Sequence, residues 1–235
     1  MKGFIIAGGE GTRLRPYTYT VAKPMLLLGG HPILYYVIEN LKRSGVKDLV
    51  ITVGYNYEQI TEYFGNGSKF GIKIEYAIEK ERKNTAGSIL AYKGKVNDTF
   101  AVVMGDHLTN IDLSDMVKQH KKSGAIGTIA LYRSKLPLEY GVAKVDGENI
   151  VGFAEKPLIE NLYNTAIYIF EPEIFNYIKE RDDFAKDVIP RLLSERKKIH
   201  SYVFDDVWFD IGRVSDYERL DELFKVLKLY RDLKK

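Results

Sequence analysis

A short apolar segment, Phe4-Ile5-Ile6-Ala7, runs straight into Gly8-Gly9-Glu10-Gly11-Thr12-Arg13-Leu14-Arg15-Pro16. Glycines in such a loop let backbone amides approach an anion closely, and Arg13 and Arg15 add charge-assisted donors suited to phosphate oxygens. The same loop also fits a tight strand-to-helix turn carrying solvated arginines, and taken alone it does not separate the two. Two phosphate-binding patterns are excluded. A P-loop needs Gly-Lys-Ser/Thr, which is missing, and a dinucleotide fingerprint needs Gly or Ala where Leu14 stands. Two carboxylates stand beside apolar residues. Asp106 follows the apolar run Ala101 to Met104, and Asp210 sits among Trp208, Phe209 and Ile211. A carboxylate after a buried strand can simply cap the next turn.

The remaining composition narrows the chemistry by exclusion. There is no cysteine, which removes disulfides, thiolate metal sites and cysteine nucleophiles. His31, His107, His120 and His200 are far apart with no HxH or HExxH spacing, so a histidine zinc site is not expected. Lys plus Arg total 35 against 32 Asp plus Glu, a net charge of +3, so no broad field for nucleic acid or an anionic membrane exists. Any anion must be held locally. The four apolar residues after Gly3 are too few for a signal-peptide core, and no run is long enough to span a bilayer; a cytoplasmic protein is expected.

These residues have to be carried by elements that the apolar pattern outlines. Strands are expected at Phe4–Ala7, Asp48–Gly54, Ile72–Ile78, Phe100–Met104 and Ala125–Leu131. Helices alternate with them: one opened by His31-Pro32 with a stripe of Ile33, Leu34, Val37, Ile38 and Leu41, then Glu58–Phe64, Thr85–Ala91 and Leu113–Ser123. From Tyr140 the texture changes to a hairpin (Gly141–Val145 and Ile150–Phe153), a strand at Asn164–Phe170, a helix at Ala185–Arg196 and a strand at Ser201–Phe204. Ser215 is expected to cap a last helix with Tyr217, Leu220, Leu223, Phe224 and Leu227 on one face. The pattern predicts an α/β, Rossmann-like doubly wound fold, its central sheet mostly parallel and its C-terminal half mixed and partly antiparallel. One domain is expected over residues 1–235, with a doubly wound half at 1–135, a mixed half at 136–214 and a C-terminal helix at 215–235.

The glycine segment, followed by Lys23-Pro24-Met25, resembles the signature of the sugar-1-phosphate nucleotidyltransferases, which make nucleotide sugars from NTPs. Asn84-Thr85-Ala86-Gly87, Met104-Gly105-Asp106, Tyr140-Gly141-Val142, Glu155-Lys156-Pro157 and Trp208-Phe209-Asp210-Ile211-Gly212 follow in that family's order, so the resemblance covers essentially the whole chain. It implies that an NTP and a sugar-1-phosphate are the binding partners. A phosphate oxygen of the sugar-1-phosphate attacks the α-phosphorus in line, and pyrophosphate leaves. By the same resemblance Asp106 and Asp210 hold Mg²⁺, Arg13 grips the NTP phosphates, Lys23 lies between the reacting phosphates and Lys156 binds the sugar phosphate. Nucleotide contacts fall to Ala7, Gly8, Gly9, Gly11, Thr12, Arg13, Glu79, Asn84, Thr85 and Gly87. Sugar contacts fall to Tyr140, Gly141, Glu155, Lys156, Asn164 and Ala166.

Three positions depart from the family pattern. His107 replaces a small apolar residue and is expected to stand beside the metal site without ligating. Asn84 replaces Gly, and Ala166 replaces the Gly of Asn-x-Gly while leaving its amide free to donate. Glu79 stands where uridylyl- and thymidylyl-transferring relatives tend to have Gln. An ionised Glu only accepts, which suits guanine N1–H and its amine, and mannose- and heptose-1-phosphate guanylyltransferases look similar here. GTP with mannose-1-phosphate is therefore the first pair to test. UTP or dTTP with glucose-1-phosphate, a cytidylyltransferase acting on a non-sugar phosphate, and a non-catalytic nucleotide-sugar-binding paralogue remain as rivals. Relatives with a C-terminal left-handed β-helix use it for acyl transfer or oligomerisation; none is expected here. The final helix could pack on its own domain or on a second copy.

Overall fold

The computed structural model describes residues 1–232, with side chains described through Leu227. Its strands are β1 (Lys2–Ala7), the short pair β2 (Leu27–Leu28) and β3 (His31–Pro32), β4 (Asp48–Val53), β5 (Lys73–Ile78), β6 (Phe100–Met104), β7 (His107–Thr109) and β8 (Gly127–Pro137). They continue with β9 (Val142–Asp146), β10 (Asn149–Ala154), β11 (Leu158–Phe170), β12 (Ile199–Phe204) and β13 (Trp208–Asp210). The helices are α1 (Ile33–Arg43), α2 (Tyr57–Phe64), α3 (Asn84–Gly87), α4 (Leu113–Ser123), α5 (Ile189–Ser194) and α6 (Val214–Asp232). Seven strands make one sheet in the order β12-β8-β11-β6-β1-β4-β5. The β6-β1-β4-β5 block is parallel throughout, β11 runs antiparallel to both β6 and β8, and β12 is parallel to β8. The fold is the expected α/β type.

Alternation along the buried strands sends side chains to two covered faces, as parallel sheets require. Ile5, Ile51 and Val103 pack on one side with Leu34, Ile38 and Leu41 of α1 and Met116 of α4. Phe4, Val50 and Val102 face the other way, against Ile89, Phe175, Phe184 and Leu192. The register then fixes what emerges at the strand ends. Ile6 pairs with Met104, Ala7 with Val53 and Val53 with Ile78, so Gly8, Gly105 and Glu79 leave the sheet side by side. Gly54 belongs to the same row: a Cβ there would lie 2.8 Å from the Gly8 carbonyl oxygen.

Several elements differ from the sequence pattern, each for a tertiary reason. The helix expected at Thr85–Ala91 is a single turn, α3, followed by a 3₁₀ turn at Leu90–Tyr92; the Ala86 and Gly87 amides, free at a helix start, donate to the Asp182 carbonyl. The helix expected at Ala185–Arg196 opens with a wide π turn over Phe184–Val188 before α5, where Pro190 supplies no amide. Strands β8 and β11 run beyond the main sheet and pair as far as Pro137 with Leu158, with a register shift between Asn164 and Tyr168. The last helix starts at Val214, so Ser215 lies inside its first turn, and the Asp216 carboxylate accepts from the Arg213 amide instead. Tyr217, Leu220 and Phe224 pack on the domain, whereas Leu223 and Leu227 are exposed. Among the described residues no helix is long and apolar enough to cross a membrane.

Candidate active site

Leu14, the residue that breaks the dinucleotide pattern, is fully buried with Leu26, Leu28, Leu108, Ile211 and Leu220. That anchor turns the 3₁₀ turn Thr12–Leu14 so that Arg13 faces Asp210. A Cβ added at Gly212 would sit 3.5 Å from both the Arg13 guanidinium and the Asp210 carboxylate. Arg15, expected to share the phosphate contacts, lies instead over the Tyr19 ring and near Glu10. Gly11 has φ +64°, and a Cβ there would press on Lys23 and Thr18 at 3.0 Å, so only glycine closes this turn without strain. Lys23, with only 11% of its side chain exposed, reaches the Asp106 carboxylate oxygen Oδ2. Leu14→Ala is expected to cost about 3 kcal/mol of stability, as a fully buried Leu→Ala does, measured as a shift of the urea midpoint at unchanged slope.

The carboxylates meet through a pairing the sequence pattern does not show. Strand β13 runs antiparallel to β7, and Asp210 is opposite His107, the neighbour of Asp106. His107 Nε2 lies 3.4 Å from Asp210 Oδ1 and 3.7 Å from Asp106 Oδ1, while its Nδ1 is 3.0 Å from the Thr165 carbonyl oxygen. Burial pushes the imidazole pKa down, but the contact with Asp210 and the charges of Asp106 and Asp210 outweigh it, and the net shift is upward. Asp210 is held below the usual carboxylate range, chiefly by His107, against the effect of its burial. Asp106, His107 and Asp210 each offer a ligand atom within 4.8 Å of the others. Such oxygen donors, with one borderline nitrogen, fit a divalent cation.

Asp106 also lines a cleft, together with Gly8, Gly9, Glu79, Asn84, Thr85 and Asp183. Glu79 is half-buried, not a solvated surface residue: its Oε1 is buried without a partner and Oε2 lies 3.4 Å from the Lys83 amide. Burial pushes its carboxyl pKa up, opposed by that amide and the Lys83 charge. Asn84 adopts φ +56°, a conformation Asn tolerates better than most residues. The turn it opens is held from far along the chain. Asn84 donates to the Arg181 carbonyl and the Thr85 hydroxyl to Asp183, while Gly87 leaves room for the Arg181 backbone. Ala7 is buried at the end of β1, and Thr12 is exposed at the start of its turn; neither lines this cleft. Asp183 was not among the residues singled out in the sequence. Its only local signal is as a cap of the turn at Phe184, where its carboxylate accepts from Ala185 and Lys186.

The sugar-side residues gather elsewhere. Tyr140 is 80% exposed, and Glu155 and Lys156 are also exposed, at the root of the β9–β10 hairpin. A Cβ at Gly141 would come within 2.7 Å of the Glu155 carboxylate, so this glycine lets Glu155 fold over the turn. Asn164 and Ala166 lie in the β11 irregularity. The Ala166 amide, expected to be free, donates to Asn164 Oδ1 at 2.9 Å, with Ala166 at φ +54°. Thr165 between them is buried and presents its carbonyl to His107. Ion pairs link Asp106 to Lys23 and both carboxylates to His107, and the Arg13 charge acts on Asp210.

A family model described as nucleotidyl transferase matches residues 2–225, and the chain belongs to that family. It is 35% identical to a UTP–glucose-1-phosphate uridylyltransferase of Synechocystis sp. over 92% of this chain and 61% of that one. It is 33% identical to a mannose-1-phosphate guanyltransferase of Schizosaccharomyces pombe over 92% of this chain and 62% of that one. The chain thus spans about three fifths of the length of these curated relatives. A solved structure from Bacillus anthracis, described as a glucose-1-phosphate thymidylyltransferase and bound to sucrose, superposes with a TM-score of 0.76 at 26% identity, covering 95% of each chain. HddC from Yersinia pseudotuberculosis, solved with GMP-PN, shares the fold at a TM-score of 0.74 and 23% identity, over 95% of this chain and 99% of that one.

Proposed function

We propose that the protein transfers a nucleotidyl group from an NTP to a sugar-1-phosphate with release of pyrophosphate, and that GTP and mannose-1-phosphate are its preferred pair. The observation that carries this reading is the row of strand ends: the register of β6, β1, β4 and β5 delivers Asp106, Gly8 and Glu79 to one cleft, and β13 returns Asp210 beside Asp106. Base readout, phosphate cradle and cation ligands therefore follow one another along a single edge, where open α/β sheets bind ligands.

The attacking phosphate oxygen is already anionic, so the site needs no side-chain nucleophile. Its oxygen forms a bond to the α-phosphorus as the bond to the β-phosphate oxygen breaks, and the pair of electrons leaves with pyrophosphate. Alignment and neutralisation are what remain to be supplied. Gly8 and Gly9 admit the phosphates close to the backbone, and Arg13 supplies charge for the departing pyrophosphate. Lys23 leaves Asp106 to bridge the two reacting phosphates, while Lys156 holds the sugar phosphate and Glu155, Tyr140 and Asn164 contact the sugar. Asp106 and Asp210 hold Mg²⁺, which when bound stabilises charge on the α-phosphate.

The test is a pyrophosphate-release screen of the common NTPs against a panel of sugar-1-phosphates. At least one productive pair is expected, with turnover lost on chelation of divalent cations. Failure of every pair, together with tight binding of a finished nucleotide sugar, would replace this reading with a regulatory one. UTP with glucose-1-phosphate is the second reading, favoured by the 35% identity to the Synechocystis uridylyltransferase.

A further inference from the structure

His107 is placed as a ligand would be. Its Nδ1 faces the Thr165 carbonyl at 3.0 Å, an arrangement that keeps the proton on Nδ1 and leaves Nε2 to point the other way. Nε2 then faces Asp210 Oδ1 at 3.4 Å and Asp106 Oδ1 at 3.7 Å. The ring cannot easily turn aside: 11% of the side chain is exposed, and Trp208 packs edge-on at 5.7 Å between centroids. The remaining oxygen of Asp106, Oδ2, is already taken by Lys23, so the three atoms that face one another are two carboxylate oxygens and one imidazole nitrogen. The 3.4 and 3.7 Å from Nε2 to the two oxygens exceed by less than an ångström the edge of roughly 3 Å of an octahedron built on bonds of about 2.1 Å, and all three atoms lie within 4.8 Å of one another.

We infer that His107 is a third protein ligand of the cation held by Asp106 and Asp210, and that it shifts the site's preference from Mg²⁺ toward Mn²⁺ and Co²⁺. The inference rests on the carboxylate assignment made above. Two carboxylates completed by water suit magnesium, whereas an imidazole nitrogen gains more from divalent transition metals than from Mg²⁺. Thr165 is the positioning residue, acting through its carbonyl on the ring.

The experiment is pulsed EPR on the Mn²⁺-loaded full chain with a non-hydrolysable NTP analogue, combined with calorimetric affinities for Mg²⁺, Mn²⁺ and Co²⁺. The wild-type spectrum is expected to show coupling to a directly bound imidazole nitrogen. In His107→Gln, which still has an amide to meet Thr165, that coupling is lost and Mn²⁺ and Co²⁺ affinities fall roughly tenfold or more, with Mg²⁺ changing less than about threefold. Absence of nitrogen coupling in the wild type overturns the inference, and needs no variant to fold. An equal loss of affinity for all three ions also overturns it, since a residue acting only through hydrogen bonds to the carboxylates would produce that. If Asp210→Asn abolishes Mn²⁺ binding while the wild type shows no nitrogen coupling, the carboxylate assignment stands and the His107 ligand falls. If Asp106→Asn and Asp210→Asn both bind Mn²⁺ as the wild type does, both fall.

Discussion

Asp106→Asn and Asp210→Asn are each expected to lower kcat by roughly a hundredfold or more, because in the proposed reaction each removes one of the two charges that would anchor a cation against the α-phosphate. The two variants should differ in their side effects. Asp106 is also the partner of Lys23, so its amide leaves a largely buried ammonium without its counter-charge, and a loss of stability accompanies the loss of rate. Asp210 is more exposed and faces His107, whose pKa is raised partly by Asp210. Asn there should fold normally and allow the imidazole to lose its proton at lower pH. Single-turnover rates at saturating Mg²⁺, with urea unfolding in parallel, check both. Near-wild-type turnover in either variant removes that residue from the cation site.

Glu79→Gln is the second substitution with a large expected effect, and it tests the base. Glu79 lines the cleft, where its carboxylate offers acceptors to the donor edge of guanine. The amide replaces an ionised acceptor with a group that presents N–H to a donor edge. Hydrogen bonds to charged groups are worth about 1.5–3 kcal/mol, so kcat/KM for GTP should fall roughly ten- to a hundredfold, while UTP is affected less or improves. A pH profile adds a second readout. Burial raises the Glu79 pKa, so the accepting form is present above that raised value and is lost as pH falls through it. GTP use should therefore decline on acidification sooner than an ordinary glutamate would dictate, and the Gln variant should lack that limb. No loss of stability is expected, since burial already disfavours the charged form. Equal small changes for both nucleotides would detach Glu79 from the base.

The parts legible in the sequence were those whose signal is local. Phe4 to Ala7 ending in glycines, the apolar run into Asp106 and the stripe of α1 each fit within a dozen residues, and together they outline the parallel block. The pairing of β13 with β7 is another matter: a three-residue strand has no periodicity to read, and its partner, His107–Thr109, lies far back in the chain. The same holds for the segment Arg181–Asp183, which meets Asn84 and Gly87 through backbone carbonyls that any sequence could supply, and Thr85 through a carboxylate whose local signal is only that of a cap. The extension of β8 and β11 was missed because both faces are largely exposed there, so the alternation that marks a half-buried strand is absent. His107 was seen as a departure; its direction depends on the Thr165 carbonyl, which only the β11 irregularity puts in place.

The insertion of β11 between β6 and β8 also sets an order on the birth of this protein. As the chain leaves the ribosome, the parallel block and β8 emerge with the glycine loop and Asp106, but β6 and β8 have no bond to each other and wait for residues 158–170 to fill the slot. Until then each presents a bare edge to any neighbouring nascent chain. The wall behind Asn84 arrives later still with Asp183, and the second carboxylate with Asp210. Synonymous changes that alter the translation rate from Gly127 to Phe170 are therefore expected to alter how much of the protein is recovered in active form.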